Sequence, residues 1–164
     1  ADYVARFQGG NNAGHTLVVD GKKTKLSLMP SGILRPQAKC LIGAGVVVDG
    51  FHVLKEIADL REAHVKVTPE RFIIDDNVEL VLGYHRALDL AREALKGDKK
   101  IGTTGRGIGP TYEDRAARVG VRLGELKRLD LLKGKVETNV DYKNRYLQHV
   151  LHSDVVISFD EVWS

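Results

Sequence analysis

Hydrophobic positions along the chain change rhythm several times, and each change predicts an element. Residues 3–7 (YVARF) form a short β-like run that ends in a glycine-rich loop. In HTLVVDGKKTKLSL two β-prone runs flank Asp20-Gly21, a dipeptide suited to a hairpin turn because glycine tolerates positive φ. MPSGILRP is rich in turn residues. Residues 40–48 read as one buried strand, and Gly43 and Gly45 within it suggest close backbone approach. After Asp49-Gly50, the apolar residues Phe51, Leu54, Ile57 and Ala58 recur at helical spacing. Pro69 and Glu70 interrupt the pattern, and residues 71–74 are a short strand candidate. The clearest helix carries Val81, Tyr84, Leu88, Ala91 and Leu95 on one face, with Gly97 as its C-terminal cap. Val136, Val140, Leu147 and Leu151 predict a longer helix, and residues 155–159 (VVISF) a further buried strand. Strands alternating with helices imply an α/β fold with a largely parallel sheet.

Composition narrows this picture. A hydrophobic content of 43% over 164 residues supplies a real core for one globular domain. No repeat, low-complexity tract or Pro/Ser-rich linker divides the chain. Cys40 is the one cysteine, which excludes a disulfide framework and reads as a small core hydrophobe. No apolar run approaches a membrane span and no signal-peptide pattern is present, so the expected setting is cytoplasmic, with no membrane partner. The formal charge of +3 permits an anionic ligand without demanding nucleic acid. The aromatics, 6% of the chain, are scattered rather than interleaved with basic residues, and no nucleic-acid partner is expected.

Candidate chemistry concentrates in two loops. The first is QGGNNAGHT, residues 8–16; the second is GTTGRGIGP, residues 102–110, inside the longer stretch 99–118. Glycine lets a backbone turn its N–H groups inward and approach a ligand closely, which is how phosphates are cradled. Thr103, Thr104 and Arg106 add donors, and Arg115 and Arg118 are spaced to share a helix face and suit bidentate phosphate recognition. A surface loop with turn glycines accounts for the same composition. Neither loop is a GxxxxGK[ST] P-loop. His15 is a candidate general acid or phosphate donor, or a brace that hydrogen-bonds a neighbouring carbonyl. His85 lies beside a core stripe, His52 and His64 bracket a helix, and His149 and His152, spaced to share a helix face, lack a third metal ligand.

Taken together, ARFQGGNNAGHT, the Asp-Gly hairpin, PSGI and GTTGRGIGPTYEDR resemble adenylosuccinate synthetase, in that family's order and spacing and across essentially the whole chain. The resemblance implies a P-loop-NTPase-like α/β fold with a hairpin near the N-terminus. It also implies GTP- and Mg²⁺-dependent ligation of IMP and L-aspartate in AMP biosynthesis, within a homodimer. His15 matches the catalytic histidine. Asn12, Ala13, Gly14, His15, Thr104 and Arg118 match IMP-site positions, Arg118 reaching the neighbouring subunit's IMP phosphate. Gly14, His15 and Thr16 match the GTP side, and the Gly14 main-chain carbonyl a Mg²⁺ ligand. One departure is Arg115, where GIGPxYxxK usually ends in lysine. The family's GDEGKG loop, with its aspartate base, and its guanine- and aspartate-binding parts are not among these residues. Residues 1–164 are therefore expected to be a partial, internal piece of one synthetase domain, inactive alone. The alternative is a noncatalytic nucleotide-binding module derived from the family.

Overall fold

The computed structural model describes residues 1–19, 21–97 and 102–164, which form two compact units, Ala1–Val78 and Glu79–Ser164.

In the first unit, β1 (Tyr3–Arg6), β4 (Lys39–Ile42) and β6 (Phe72–Ile74) make a parallel sheet in the order β1-β4-β6. Tyr3 faces Lys39 across β1 and β4, and Cys40 faces Phe72 across β4 and β6. The central strand buries Cys40 and Ile42. Between β1 and β4 the antiparallel hairpin of β2 (His15–Val19) and β3 (Lys22–Leu26) pairs His15 with Leu26 and Val19 with Lys22. Its expected turn includes Asp20, which lies outside the described residues, while Gly21 has φ 76°. A single 3-10 turn, Ser31–Leu34, occupies the turn-rich segment.

Two expectations fail here for identifiable reasons. Residues 40–48 are not one strand. The chain leaves β4, turns through Gly43, with Val46 N–H donating to the Gly43 carbonyl at 3.0 Å, and resumes as β5 (Val47–Val48). The expected close approach is real at Gly45, where a Cβ would collide with the Phe7 carbonyl oxygen. The turn lets Val47 N–H reach the Gly9 carbonyl at 2.9 Å, tying β5 to the first glycine loop.

The second correction concerns α1 (Gly50–Glu62), capped by Asp49, whose carboxylate accepts the His52 N–H at 3.1 Å. It buries Val53, Glu56 and Leu60, not the apolar set 51-54-57-58; Phe51 is 80% and Leu54 64% exposed. The inward face is organised around a carboxylate. Glu56 accepts the backbone N–H groups of Ser27, Leu28 (2.8 Å) and Met29 (3.1 Å). Those three amides sit where the chain leaves β3, and Leu28 and Met29 are fully buried, so without Glu56 their donors would lack this partner.

The second unit opens with β7 (Glu79–Leu80), whose Leu80 N–H donates to the Val121 carbonyl at 2.7 Å. Helices follow: α2 (Gly83–Leu95), α3 (Ile108–Ala117), α4 (Leu129–His149) and α5 (Phe159–Trp163). The expected α2 stripe holds for Tyr84, Leu88 and Ala91, while Leu95 is exposed. Gly97, at φ 52°, follows the Lys96 cap in the left-handed region as a terminating glycine should. The longer helix buries Val136, Val140 and Leu147, and Leu151 packs just beyond its end. Residues 155–158 form no strand: Val156 is 80% exposed. There the Asn144 side chain substitutes for a strand partner, taking the Ile157 N–H at 2.8 Å and donating to the Ile157 carbonyl at 2.9 Å. Among the described residues no helix is long and apolar enough to cross a membrane.

Candidate functional site

The first glycine loop is held from below and left open above. Arg6, the last residue of β1, donates to the carbonyls of Gln8 (3.3 Å), Gly10 (2.6 Å) and Ser27. A planar guanidinium can satisfy several carbonyls at once, which an ammonium on a flexible stem cannot do in fixed geometry. Asn11 is buried and donates to the Asp49 carboxylate at 3.1 Å, joining the loop to the cap of α1. The loop is thus anchored through residues 6, 9, 10 and 11. Asn12, Ala13, Gly14, His15 and Thr16 are all exposed. His15, the first residue of β2, lines a cleft of ≈ 260 Å³ with Arg6, Gln8, Met29 and Ser31. Gly14 lies against the hairpin: a Cβ there would stand 2.9 Å from Lys25 Cε.

The second loop is described from Gly102 onward, in the second unit; Lys99, in the longer stretch, lies outside the described residues. Carboxylates on α2 take its backbone donors. Glu93 accepts the Gly102 N–H at 2.6 Å and Asp89 the Gly107 N–H at 2.9 Å. Gly107 has φ 76°, and a Cβ would come within 2.8 Å of His85 and Arg86 backbone atoms, so this position requires glycine. Thr111 closes the first turn of α3 by donating to the Gly107 carbonyl at 2.7 Å. Thr104 remains exposed.

Arg118 does not share a helix face with Arg115. It caps α3 in the left-handed conformation, φ 62°, which swings it off the helix. It lines a cleft of ≈ 270 Å³ with Glu79, Gly120, Arg122, Glu125 and Lys135. His149 and His152 likewise share no helix face, because α4 ends at His149 and His152 has φ 51°.

Sequence reasoning missed the most heavily charged interior of the second unit. His85 is fully buried; its Nδ1 accepts the Leu82 N–H at 2.9 Å, so its proton sits on Nε2 and donates to Asp114 at 3.1 Å. Burial pushes the His85 pKa down, against the pull of Asp114. The buried Lys143 ammonium donates to the other Asp114 oxygen. Burial would raise the Asp114 carboxyl, but the hydrogen bonds from His85 and Lys143 prevail and hold it below the usual carboxylate range. The one available signal was an acid and two bases on three different helices, His85 and Lys143 each 29 residues from Asp114, which periodicity does not encode. Cys40 is buried, and burial pushes its thiol up, as expected for an inert core cysteine.

The parallel sheet, the hairpin and two glycine-rich loops braced by interior carboxylates and an arginine define an α/β protein whose candidate residues lie on loops or at the ends of regular elements. Comparison with known proteins makes the class specific. The model of the adenylosuccinate synthetase family matches residues 1–164, and the chain belongs to that family. It is 55% identical over 155 residues to the adenylosuccinate synthetase of Magnetococcus marinus, an alignment spanning 94% of this chain and 36% of that protein. The solved structure of the fully ligated adenylosuccinate synthetase from Plasmodium falciparum superposes with a TM-score of 0.79 at 31% identity, covering 99% of this chain and 37% of that one. Cyanophage S-2L succinoaminodeoxyadenylate synthetase, solved with dGMP and dATP bound, superposes with a TM-score of 0.58 at 25% identity over 85% of this chain. The chain therefore spans little more than a third of the length of the relatives it matches.

Proposed function

We propose that this chain contributes the histidine loop and the IMP-phosphate loop of an adenylosuccinate synthetase, and that residues 1–164 are part of one such domain. The enzyme would transfer the γ-phosphoryl of GTP to the 6-oxygen of IMP, releasing GDP. The aspartate amine would then displace that phosphate to give adenylosuccinate. The observation that carries the reading is the first loop: its base is fixed by Arg6 and Asn11 while Asn12 to Thr16 stay exposed. Phosphoryl transfer is largely positioning and charge stabilisation, and a braced backbone loop ending in a histidine is suited to both.

In this reading His15 is the general acid or hydrogen-bond donor at the transferring phosphoryl. Asn12, Ala13 and Gly14 line the IMP side, and Gly14, His15 and Thr16 face the GTP phosphates. Thr104 contacts the IMP phosphate, and Arg118 reaches the IMP phosphate of the partner subunit in a cytoplasmic homodimer. Among the described residues no three His, Cys, Asp or Glu side chains gather to hold a metal. The Gly14 main-chain carbonyl is a hard oxygen donor, compatible with Mg²⁺ that takes its other ligands from phosphate and water. When bound, the ion would neutralise phosphate charge.

His15→Asn tests the reading. In the full-length protein it should lower kcat by about 10²–10⁴-fold, the usual worth of a general acid, with IMP affinity nearly unchanged. A near-normal kcat would remove His15 from the mechanism.

A further inference from the structure

We propose that Asp114, with His85 and Lys143 as its partners, is the positioning residue for the phosphate-binding elements at both ends of α3. The inference rests on the reading above for what those ends bind. Asp114 works in two ways at once. Its carboxylate joins three helices, accepting from His85 on α2 and Lys143 on α4 while itself on α3. Its main-chain carbonyl accepts the N–H groups of Val119 (3.0 Å) and Gly120 (3.1 Å), which close the left-handed turn that presents Arg118.

The other end of α3 rests on the same network. His85 is pinned through Nδ1 to the Leu82 N–H and through Nε2 to Asp114, so its backbone is a fixed floor. Gly107 sits directly on that floor, with no room for a Cβ above the His85 carbonyl carbon. Gly107, which leads the Thr104 loop into α3, and Arg118 at its far end are thus both referenced to the Asp114 network, while Glu93 and Asp89 on α2 hold the loop's own amides at Gly102 and Gly107. The side chains of Asp114, His85 and Lys143 are almost wholly buried and none is exposed enough to touch IMP, so they act through other residues. Two further links join α2 to α3: Asp89 accepts the Gly107 N–H at 2.9 Å, and Arg92 donates to Glu113 at 2.6 Å, the latter substantially exposed, so that water and salt weaken it.

The test uses two variants in the full-length protein. Asp114→Asn keeps shape but removes the charge. His85→Gln keeps an acceptor for the Leu82 N–H, since glutamine serves at this position of a helix start, and deletes the ring donor to Asp114. Both should raise KM for IMP roughly tenfold, the worth of one charge-assisted hydrogen bond, with kcat and KM for GTP much less affected. Combined with Arg118→Leu the losses should be non-additive, because Asp114 acts through Arg118. Amide exchange at Val119 and Gly120, whose N–H groups bond the Asp114 carbonyl, should quicken in both variants.

A uniform loss of kcat with unchanged KM for IMP, or additive losses with Arg118→Leu, would overturn the proposal. So would unchanged exchange at those amides, whether or not the protein turns over IMP. Absence of IMP-dependent GTP turnover in the unsubstituted protein would instead defeat the functional reading, and exchange would still decide the positioning role.

Discussion

At the scale of single residues, polar side chains turned inward decide the site. Arg6 looks like an ordinary charge at the end of a β-run, yet it holds the carbonyls of Gln8, Gly10 and Ser27 together. Arg6→Lys should therefore damage catalysis more than binding. An ammonium cannot span these acceptors in fixed geometry, and losing one charge-assisted bond at about 1.5–3 kcal/mol corresponds to roughly tenfold or more in rate if His15 loses its setting. Steady-state kinetics with IMP and GTP check this: kcat should fall while both KM values stay within about threefold. An unchanged kcat would make Arg6 a structural convenience. His15 was legible as a candidate from its loop, and as the catalytic histidine only through the family resemblance, because an exposed histidine at the start of a strand carries no local mark of its role.

At the scale of elements, regular apolar spacing held on α2 and α4, except at Leu95, and failed on α1, where polar burial decides the inward face. The α2 stripe and the α4 stripe emerge as expected because Tyr84, Leu88, Val136 and Leu147 do what apolar periodicity implies. On α1 the same rule chose the wrong face, because the inward residue that matters is Glu56, and a carboxylate reads as solvent-facing until the chain that brings it three amides is known. The strand expected at residues 155–159 failed for a related reason: β-propensity was present, but Asn144 supplied the pairing. Glu56→Gln replaces an acceptor with a group that turns an N–H₂ toward backbone donors. It should cost about 1–3 kcal/mol, measurable as a lower midpoint in urea. Phe51→Ser, on the exposed face of the same helix, should change stability by no more than about 0.5 kcal/mol. The reverse ranking would restore the apolar face as the packed one.

At the scale of the whole molecule, the proposed function assigns roles to residues in both units of the chain. His15 lies in the first unit and Arg118 in the second, on a left-handed cap that leaves its guanidinium exposed. The proposed homodimer, with Arg118 serving the partner's IMP phosphate, makes a sharp demand. A site would need His15 from one subunit and Arg118 from the other. His15→Asn and Arg118→Leu proteins should each be nearly inactive at low IMP, the first through kcat and the second through KM. Unfolded and refolded together, half the dimers formed at random would be mixed. Each mixed dimer would hold one site bearing both substitutions and one bearing neither, so roughly a quarter of native activity should return. If both residues served the same subunit's site, every site in a mixed dimer would carry one defect and mixing would restore nothing. The recovered activity should also show the unsubstituted KM for IMP, since only intact sites contribute to it at low substrate; recovery with a raised KM would mean that Arg118 is not the residue that crosses.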